Sequence, residues 1–268
     1  MRKVFTLLAA VTLGLASCMN PEKLKDSKDA NLKLTKANEY FDKKSYYRAS
    51  ELYGSLIPVV KNTPNHEELL YRYAYCFYNM KDYLSASYQF KSFVDNFPTS
   101  ARAEECEFMY AKALYLDAPK VNLDQTSTAK SIAALQTFVA LHKDSKYIQE
   151  ANKFLDESVD KIERKDADAA KLYFDMKQYK AATVSYNALL QEYPNSQKAD
   201  YYFYMLISAY YNYAKLSVTE KQEERYADVL VNFNQMKSLF PQSTYLKSAE
   251  GLNASAQNFI NKLRNEHK

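Results

Sequence analysis

Glycine is scarce in this chain, whose 268 residues contain only Gly14, Gly54 and Gly251. Tight β-hairpin turns and phosphate-binding loops both depend on glycine, because a positive φ costs little only at that residue. Three isolated glycines cannot form the spaced motifs of nucleotide-binding loops. The chain also has no tryptophan, whose large ring is a favoured platform for sugars. These absences argue against a β-rich fold, a nucleotide-binding enzyme and a carbohydrate-binding protein.

Residues with high helix propensity dominate instead, chiefly Ala, Leu, Lys, Glu and Gln, together with 25 tyrosines. This composition predicts an all-α protein. The net charge is small: without the two basic residues near the N-terminus, 34 Lys and Arg face 32 Asp and Glu. No cluster of basic residues stands out, so we do not expect a nucleic-acid partner.

The first residues resemble a bacterial lipoprotein signal. Arg2 and Lys3 precede an apolar run from Val4 to Ala16, whose thirteen residues are too few to span a bilayer. The run leads into the sequence LASC, which is similar to the bacterial lipobox of an aliphatic residue, two small residues and a cysteine. We expect residues 1–17 to be removed, Cys18 to carry covalent lipid, and residues 18–27 to form a tether. Several acyl chains on one cysteine make a stable membrane anchor; an ordinary secretory signal is the alternative.

Cys76 and Cys106 remain once Cys18 carries lipid, in an oxidising compartment. Both lie in apolar helical patterns, which favours two buried free thiols, with a disulfide between them as the alternative. The three histidines are scattered and form no HExxH or Cys/His cluster, so no metal is expected. The sequence offers no recognisable set of nucleophile, base and oxyanion donors. We therefore expect no catalysis, and no cofactor apart from the lipid on Cys18.

Small and aromatic residues recur at fixed intervals along the chain. An alanine is followed by an aromatic residue, a second alanine, and then aromatic, apolar and proline positions, which are the intervals of the tetratricopeptide repeat. One copy has Ala74, Phe77, Ala86, Phe90, Phe93 and Pro98; another has Ala170, Tyr173, Ala182, Tyr186, Leu189 and Pro194; a third has Ala37, Tyr40, Ala49, Tyr53 and Leu56. The first and second alanines of each copy occupy positions 8 and 20 of the repeat. Small residues there would let the paired helices approach each other while neighbouring repeats bury the large residues.

Two further copies are stretched, which brings the count to five repeats. The third has Ala111 and Ser131 at its two small positions and an insertion around DAPKVNLD between them, and the fifth, which ends at Phe240 and Pro241, also has a longer connection. The segment from Ser145 to Met176 lacks both Gly and Pro and predicts one helix of about thirty residues. We predict a right-handed superhelix with repeats one to three in 28–145, repeats four and five in 146–242, and a capping helix in 243–268.

The lipobox, the five repeats and the long connections together resemble the BamD-type lipoproteins of the outer-membrane β-barrel assembly machinery. The third repeat adds Asp124-Gln125, Ala129, Phe138, Ser145 and Tyr147, which are similar to a run in that family. Met19 follows the lipidated cysteine instead of Asp, which favours outer-membrane attachment facing the periplasm. The resemblance implies a non-catalytic scaffold whose later repeats hold the barrel-forming assembly subunit and whose early repeats receive unfolded barrel precursors.

An aromatic stripe is predicted on the first three repeats. In tetratricopeptide superhelices, positions 2, 5, 9 and 12 of the first helix of each repeat (helix A) face a concave groove, and the predicted stripe consists of positions 5, 9 and 12. These positions are Leu34, Asn38 and Phe41 in repeat one, Tyr71, Tyr75 and Tyr78 in repeat two, and Phe108, Lys112 and Tyr115 in repeat three. We expect this stripe to bind an extended segment that ends in an aromatic residue. Internal packing of the same rings is the alternative.

Two other functions remain open from the sequence. One is a tetratricopeptide adaptor lipoprotein of another envelope system, such as a cell-division coordinator or a secretion pilotin. The other is a hydrolytic or carbohydrate-binding envelope lipoprotein, which the missing catalytic set and the absence of tryptophan argue against.

Overall fold

A computed structural model describes residues 24–266, so the predicted signal segment 1–17 and Cys18 lie outside the described residues. The described residues form eleven α-helices and no β-strand. The helices are α1 (Ala30–Asp42), α2 (Tyr46–Val60), α3 (Asn65–Asn79), α4 (Tyr83–Asn96), α5 (Ala103–Asp117), α6 (Thr126–Leu141), α7 (Ile148–Asp175), α8 (Tyr179–Glu192), α9 (Ala199–Lys215), α10 (Thr219–Leu239) and α11 (Leu246–Glu266). The predicted all-α fold is confirmed, and eleven is the number of helices expected for five helix–turn–helix repeats and a final helix.

The described residues divide into two compact units, with the boundary between Asp117 and Ala118. In the first unit, each of the helices α1 to α5 packs against the next one along the chain. In the second unit, the helices α6 to α11 do the same. The division falls inside the third repeat, whereas the predicted grouping into 28–145 and 146–242 follows the sequence repeats and stays a prediction.

The small residues at the repeat positions lie where the helices meet. Their side chains have no exposed surface at all: Ala37, Ala49, Ala74, Ala86, Ala111, Ser131, Ala170 and Ala182 are each 0% exposed. A methyl or hydroxymethyl group lets two helix axes come within about 8–10 Å. The large residues four positions further along then fill the space beside each contact, and Tyr53, Phe90 and Leu135 are 0% exposed. Close approach at small residues therefore organises the core of both units.

A hydrogen bond between a serine and a carboxylate recurs where one repeat leads into the next. Each serine Oγ donates to the carboxylate of the preceding helix A, in the pairs Ser100–Glu67 at 2.6 Å, Ser196–Glu163 at 2.7 Å and Ser243–Asp200 at 2.7 Å. The same Oγ accepts a bond from the backbone N–H two residues further on. We call this arrangement the serine–carboxylate latch. It gives a backbone N–H group at the start of each new helix a hydrogen-bond acceptor, and it connects the turn before that helix to the previous repeat.

Lysines take the place of glycine at the turns inside three repeats. Lys44, Lys81 and Lys177 have φ values of 58°, 62° and 60°, in the left-handed region. Each follows a helix A, and its N–H donates to a carbonyl in the last turn of that helix. This left-handed cap is usually a glycine, because a Cβ raises the energy of that conformation. The packing of the two helices therefore imposes the turn on a residue that does not prefer it.

The predicted insertion in the third repeat is an ordered loop between α5 and α6, over residues 118–125. The buried Gln125 side chain donates from Nε2 to the carbonyl oxygens of Lys120 at 2.8 Å and Leu123 at 3.1 Å. Lys165 of α7 donates to the same Leu123 oxygen at 2.7 Å. The predicted long helix is also confirmed, since α7 has 28 residues.

The described helices include none that is both long and apolar enough to cross a membrane. The α11 helix ends the second unit, where Ala249, Ala256, Ile260 and Leu263 are buried against α9 and α10. This is the packing expected of a helix that closes a stack of repeats.

The latch around Glu163 gives a prediction about stability. Glu163 is only 7% exposed and accepts bonds from Ser196 Oγ and from Tyr202 Oη, both at 2.7 Å. Tyr202→Phe removes one donor from this buried carboxylate, so we expect the free energy of unfolding to fall by about 1–3 kcal/mol. Urea unfolding followed by far-UV circular dichroism measures this loss.

Tyr201→Phe on the same helix is the matched control for that measurement. The Tyr201 ring packs at a tilt against the rings of Tyr202 and Tyr245, and these contacts survive the loss of the hydroxyl. Its free energy of unfolding should change by less than about 0.5 kcal/mol. Equal losses in the two variants would contradict the role given to the Tyr202–Glu163 bond.

Candidate functional site

The side chains predicted to form the groove lie on α1, α3 and α5 of the first unit. Arg72 of α3 bonds Asp42 at 3.1 Å, and its guanidinium lies 5.2 Å from the Phe41 ring centroid. On the other side, Arg102 before α5 bonds Glu68 of α3 at 2.5 Å. The three A helices thus present one joined surface. We call this surface the A-helix face and define it by Asn38, Phe41, Glu68, Tyr71, Arg72, Tyr75, Tyr78, Arg102 and Glu105.

Two tyrosines of the A-helix face share one carboxylate oxygen. The Tyr71 hydroxyl donates to Glu105 Oε1 at 2.8 Å, and the Tyr75 hydroxyl donates to the same oxygen. Their rings lie 4.8 Å apart, one helical turn from each other. Since both hydroxyls are held by α5, the two rings are fixed in position before any ligand arrives.

Burial and these hydrogen bonds also determine the protonation of the tyrosines. Burial, helped by the bond to Glu105, raises the pKa of Tyr71 to about 12. The same two causes raise the pKa of Tyr75 even further above its usual value. Both phenols are therefore neutral donors at physiological pH, and neither is suited to act as a general base.

Glu68 connects the positive charges of the A-helix face. Arg72 Nε bonds Glu68 Oε1 at 2.5 Å and Arg102 Nη1 bonds Glu68 Oε2 at 2.5 Å. Burial alone would raise the pKa of Glu68, but the hydrogen bonds from Arg72 and Arg102 outweigh it and lower that pKa. The Arg102 guanidinium also lies 4.3 Å from the Tyr71 ring centroid, at the distance of a cation–π contact. Charge and aromatic surface are therefore interleaved here.

Tyr78 lies at the other end of the face, at the last turn of α3. Its ring packs against Tyr83 at 5.7 Å and against Phe90 at 6.4 Å between centroids. Tyr75 packs against the same Phe90 at 5.1 Å. Both tyrosine rings are half-buried, so each keeps part of its surface outside the core.

The structure separates the predicted groove residues into two groups. Phe108 is only 1% exposed, so it offers a ligand almost no surface. The other eight keep partly exposed side chains: Leu34, Asn38, Phe41, Tyr71, Tyr75, Tyr78, Lys112 and Tyr115. The rings of Tyr71 and Tyr75 pack against neighbouring residues and are also partly exposed. Groove binding and internal packing, the two alternatives for these rings, therefore do not exclude each other. Peptide binding itself stays a prediction.

Sequence reasoning missed the charged residues of the A-helix face. Glu68 and Glu105 occupy position 2 of helix A, three residues before Tyr71 and Phe108. The same repeat pattern assigns that position to the groove, so the signal was present in the sequence. The arginine partners could not be found that way, because Arg102 belongs to the turn before α5 and reaches Glu68 only through the fold.

The two cysteines of the first unit are confirmed as buried free thiols, and no disulfide joins them. Burial raises the pKa of Cys76 to about 12 and that of Cys106 to about 12. Neutral, inaccessible thiols are inert in thiol exchange. Within residues 24–266 no group of three or more His, Cys, Asp and Glu side chains could hold a metal ion.

The described residues thus form an all-α helical-repeat protein with one face on which aromatic and charged side chains alternate. A model of the outer membrane lipoprotein family YfiO matches residues 26–214. The chain belongs to the YfiO family of outer membrane lipoproteins.

The chain is similar to the solved TPR2AB-domain:pHSP90 complex of yeast Sti1, with 14% sequence identity, 85% of this chain and 98% of that chain covered, and a TM-score of 0.37. A search of curated proteins gave no match.

Proposed function

We propose that this protein is a non-catalytic scaffold of the outer-membrane β-barrel assembly machinery, of the BamD type. Its lipid anchor on Cys18 would hold it at the periplasmic side of the outer membrane. Its later repeats would hold the periplasmic domains of the barrel-forming assembly subunit, and its early repeats would receive unfolded barrel precursors. Membership of an outer membrane lipoprotein family over residues 26–214 is the observation that carries this proposal.

The A-helix face supports the part of the proposal that concerns precursors. Its tyrosine hydroxyls are already bonded to Glu105, so the surface that Tyr71 and Tyr75 offer to a partner is mainly the ring. Fixed rings bind at a low cost in conformational entropy, because little rotamer freedom is lost on binding. Such a surface suits an apolar or aromatic side chain near the end of an extended segment.

Polar groups on the same face suit the backbone of an extended segment. The Tyr53 hydroxyl donates to Asn38 Oδ1 at 2.7 Å, which orients the amide so that its NH₂ group can donate to a ligand. Glu105 engages the two tyrosines through Oε1, and its second oxygen is an acceptor that a peptide N–H can use. A strand precursor carries backbone donors and acceptors that are not yet paired, so it matches both groups.

Affinity purification of the tagged lipoprotein from the native membrane tests the scaffold role. We expect the main co-purifying protein, identified by mass spectrometry, to be a large outer-membrane barrel protein with repeated periplasmic domains. A main partner from cell division or from a secretion system would contradict the proposal and support another envelope adaptor.

Substitution of Tyr78 tests the precursor site with little disturbance of the fold. Tyr78 contacts its neighbours through its half-buried ring, whereas the hydrogen bonds to Glu105 come from Tyr71 and Tyr75. Tyr78→Ala should weaken photo-crosslinking to a peptide of the last strand of a barrel precursor by about fivefold to tenfold, the effect of losing one aromatic anchor.

Tyr88→Ala is the matched control for the crosslinking experiment. Tyr88 lies on α4 and is 61% exposed, outside the A-helix face. Crosslinking by this variant should equal that of the unchanged protein, and both variants should keep their helical circular dichroism. If Tyr78→Ala crosslinks as efficiently as Tyr88→Ala, the A-helix face is not the precursor site.

A further inference from the structure

The second half of α7 exposes a helix face that α3, α5 and α9 bury. The residues compared here occupy the same position in each repeat, thirteen residues after the Thr or Ser of the turn before helix A (Thr63, Ser100 and Ser196). Cys76, Ala113 and Ala209 occupy it in α3, α5 and α9, and each is 0% exposed. The helix that precedes each of these three helices packs against it. In repeat four the corresponding residue, two positions after the buried Ala170, is Leu172, and it is 58% exposed.

The length of α7 explains why this face is left open. A helix of 28 residues is about 42 Å long, whereas the 16 residues of α6, which packs against it, extend about 24 Å. Ser158 lies thirteen residues after Ser145 and is 1% exposed. Leu172 lies about four turns further along the same side. One face of α7 is thus buried in its first half and open in its second half.

The open half carries an apolar stripe with helical spacing. Its members are Ile162, Ala169, Leu172, Tyr173 and Met176, and we call them the uncovered stripe. Leu172, Tyr173 and Met176 are 58%, 43% and 59% exposed. Large apolar side chains grouped on one exposed face mark protein interaction surfaces more often than single exposed ones do.

A groove between α7 and α8 continues the uncovered stripe. Its volume is about 500 Å³, and Ile162, Ala169, Ala188 and Leu189 supply its apolar walls. The charged side chains that line it are Asp166 and Glu192, both acidic. A partner that fills this groove therefore needs an apolar surface flanked by lysine or arginine.

We infer that the uncovered stripe and its groove receive an amphipathic helix from the periplasmic domains of the barrel-forming assembly subunit. This inference rests on the proposed function. The occupant is a helix because a helix covers the equivalent face of α3, α5 and α9 in this same chain. It places aliphatic side chains on Leu172 and Met176 and basic side chains opposite Asp166 and Glu192, and so takes the place of the helix that a preceding repeat would supply.

The double substitution Leu172→Glu/Met176→Glu tests the inference in the full-length lipoprotein purified from membranes. The barrel-forming subunit recovered per lipoprotein, measured by quantitative mass spectrometry, should fall about tenfold or more, as expected when central apolar contacts are lost. Both residues are exposed, so the helical circular dichroism should stay unchanged.

Val231→Glu/Leu239→Glu is the matched control. These two residues of α10 are 63% and 57% exposed, close to the values of the tested pair. The control should recover the subunit within about twofold of the unchanged protein, the range expected for surface changes away from the contact. Equal recovery by the two double variants, whether high or low, would overturn the assignment to the uncovered stripe.

The acidic groove gives a second readout. Glu192→Lys should reduce recovery of the subunit severalfold at low salt, since it repels a basic partner, while Glu220→Lys on α10 should not. Both glutamates are exposed. Equal recovery by these two variants would overturn the predicted basic character of the helix.

The unchanged protein separates this inference from the proposed function. If it recovers no barrel-forming subunit, the proposed function fails and the inference fails with it. If it recovers the subunit and Leu172→Glu/Met176→Glu does so equally well, only the inference fails.

Discussion

Close approach of helices at small residues is the constraint on which the rest of the structure depends. Ala37, Ala74, Ala111 and Ala170 have no exposed surface, and each belongs to the helix A of its repeat. A larger side chain there would separate the paired helices and open voids around the aromatic residues beside them. The same close approach brings Glu105 within reach of Tyr71 and Tyr75 and puts lysines into left-handed turns. The chemistry of the A-helix face is therefore a product of helix spacing.

The long α7 helix changes that regular arrangement in the second unit. Where a regular repeat would begin a new helix A after a turn, α7 continues for 28 residues without a break. Its second half serves as helix A of repeat four, yet Leu172 remains open where α3, α5 and α9 bury a small residue. Repeat two thus buries its inter-repeat face and exposes fixed tyrosines, while repeat four exposes the inter-repeat face itself. Two surfaces of different chemistry follow from one repeat pattern.

Much of the fold could be predicted because the repeat pattern acts through local spacing. The alanines, the insertion before Thr126 and the Gly- and Pro-free run of α7 are all readable in the sequence. The burial of Phe108 could not be predicted in this way. Tyr71 and Phe108 both occupy position 5 of helix A, yet Tyr71 is half-exposed and Phe108, one repeat later, is buried. The Arg102–Glu68 pair joins residues 34 positions apart, and the bond from Tyr202 to Glu163 joins residues 39 apart. Such contacts depend on how successive helices are placed, which no spacing rule specifies.

The proposed scaffold role makes this chain necessary for the assembly of outer-membrane β-barrel proteins. Its most direct test is depletion of the protein in its native cell, followed by measurement of folded barrel proteins in the outer membrane and of unfolded precursors. A scaffold of the assembly machinery predicts that many unrelated barrel proteins decline together while their precursors accumulate. Unchanged amounts of barrel proteins after full depletion would contradict the claim.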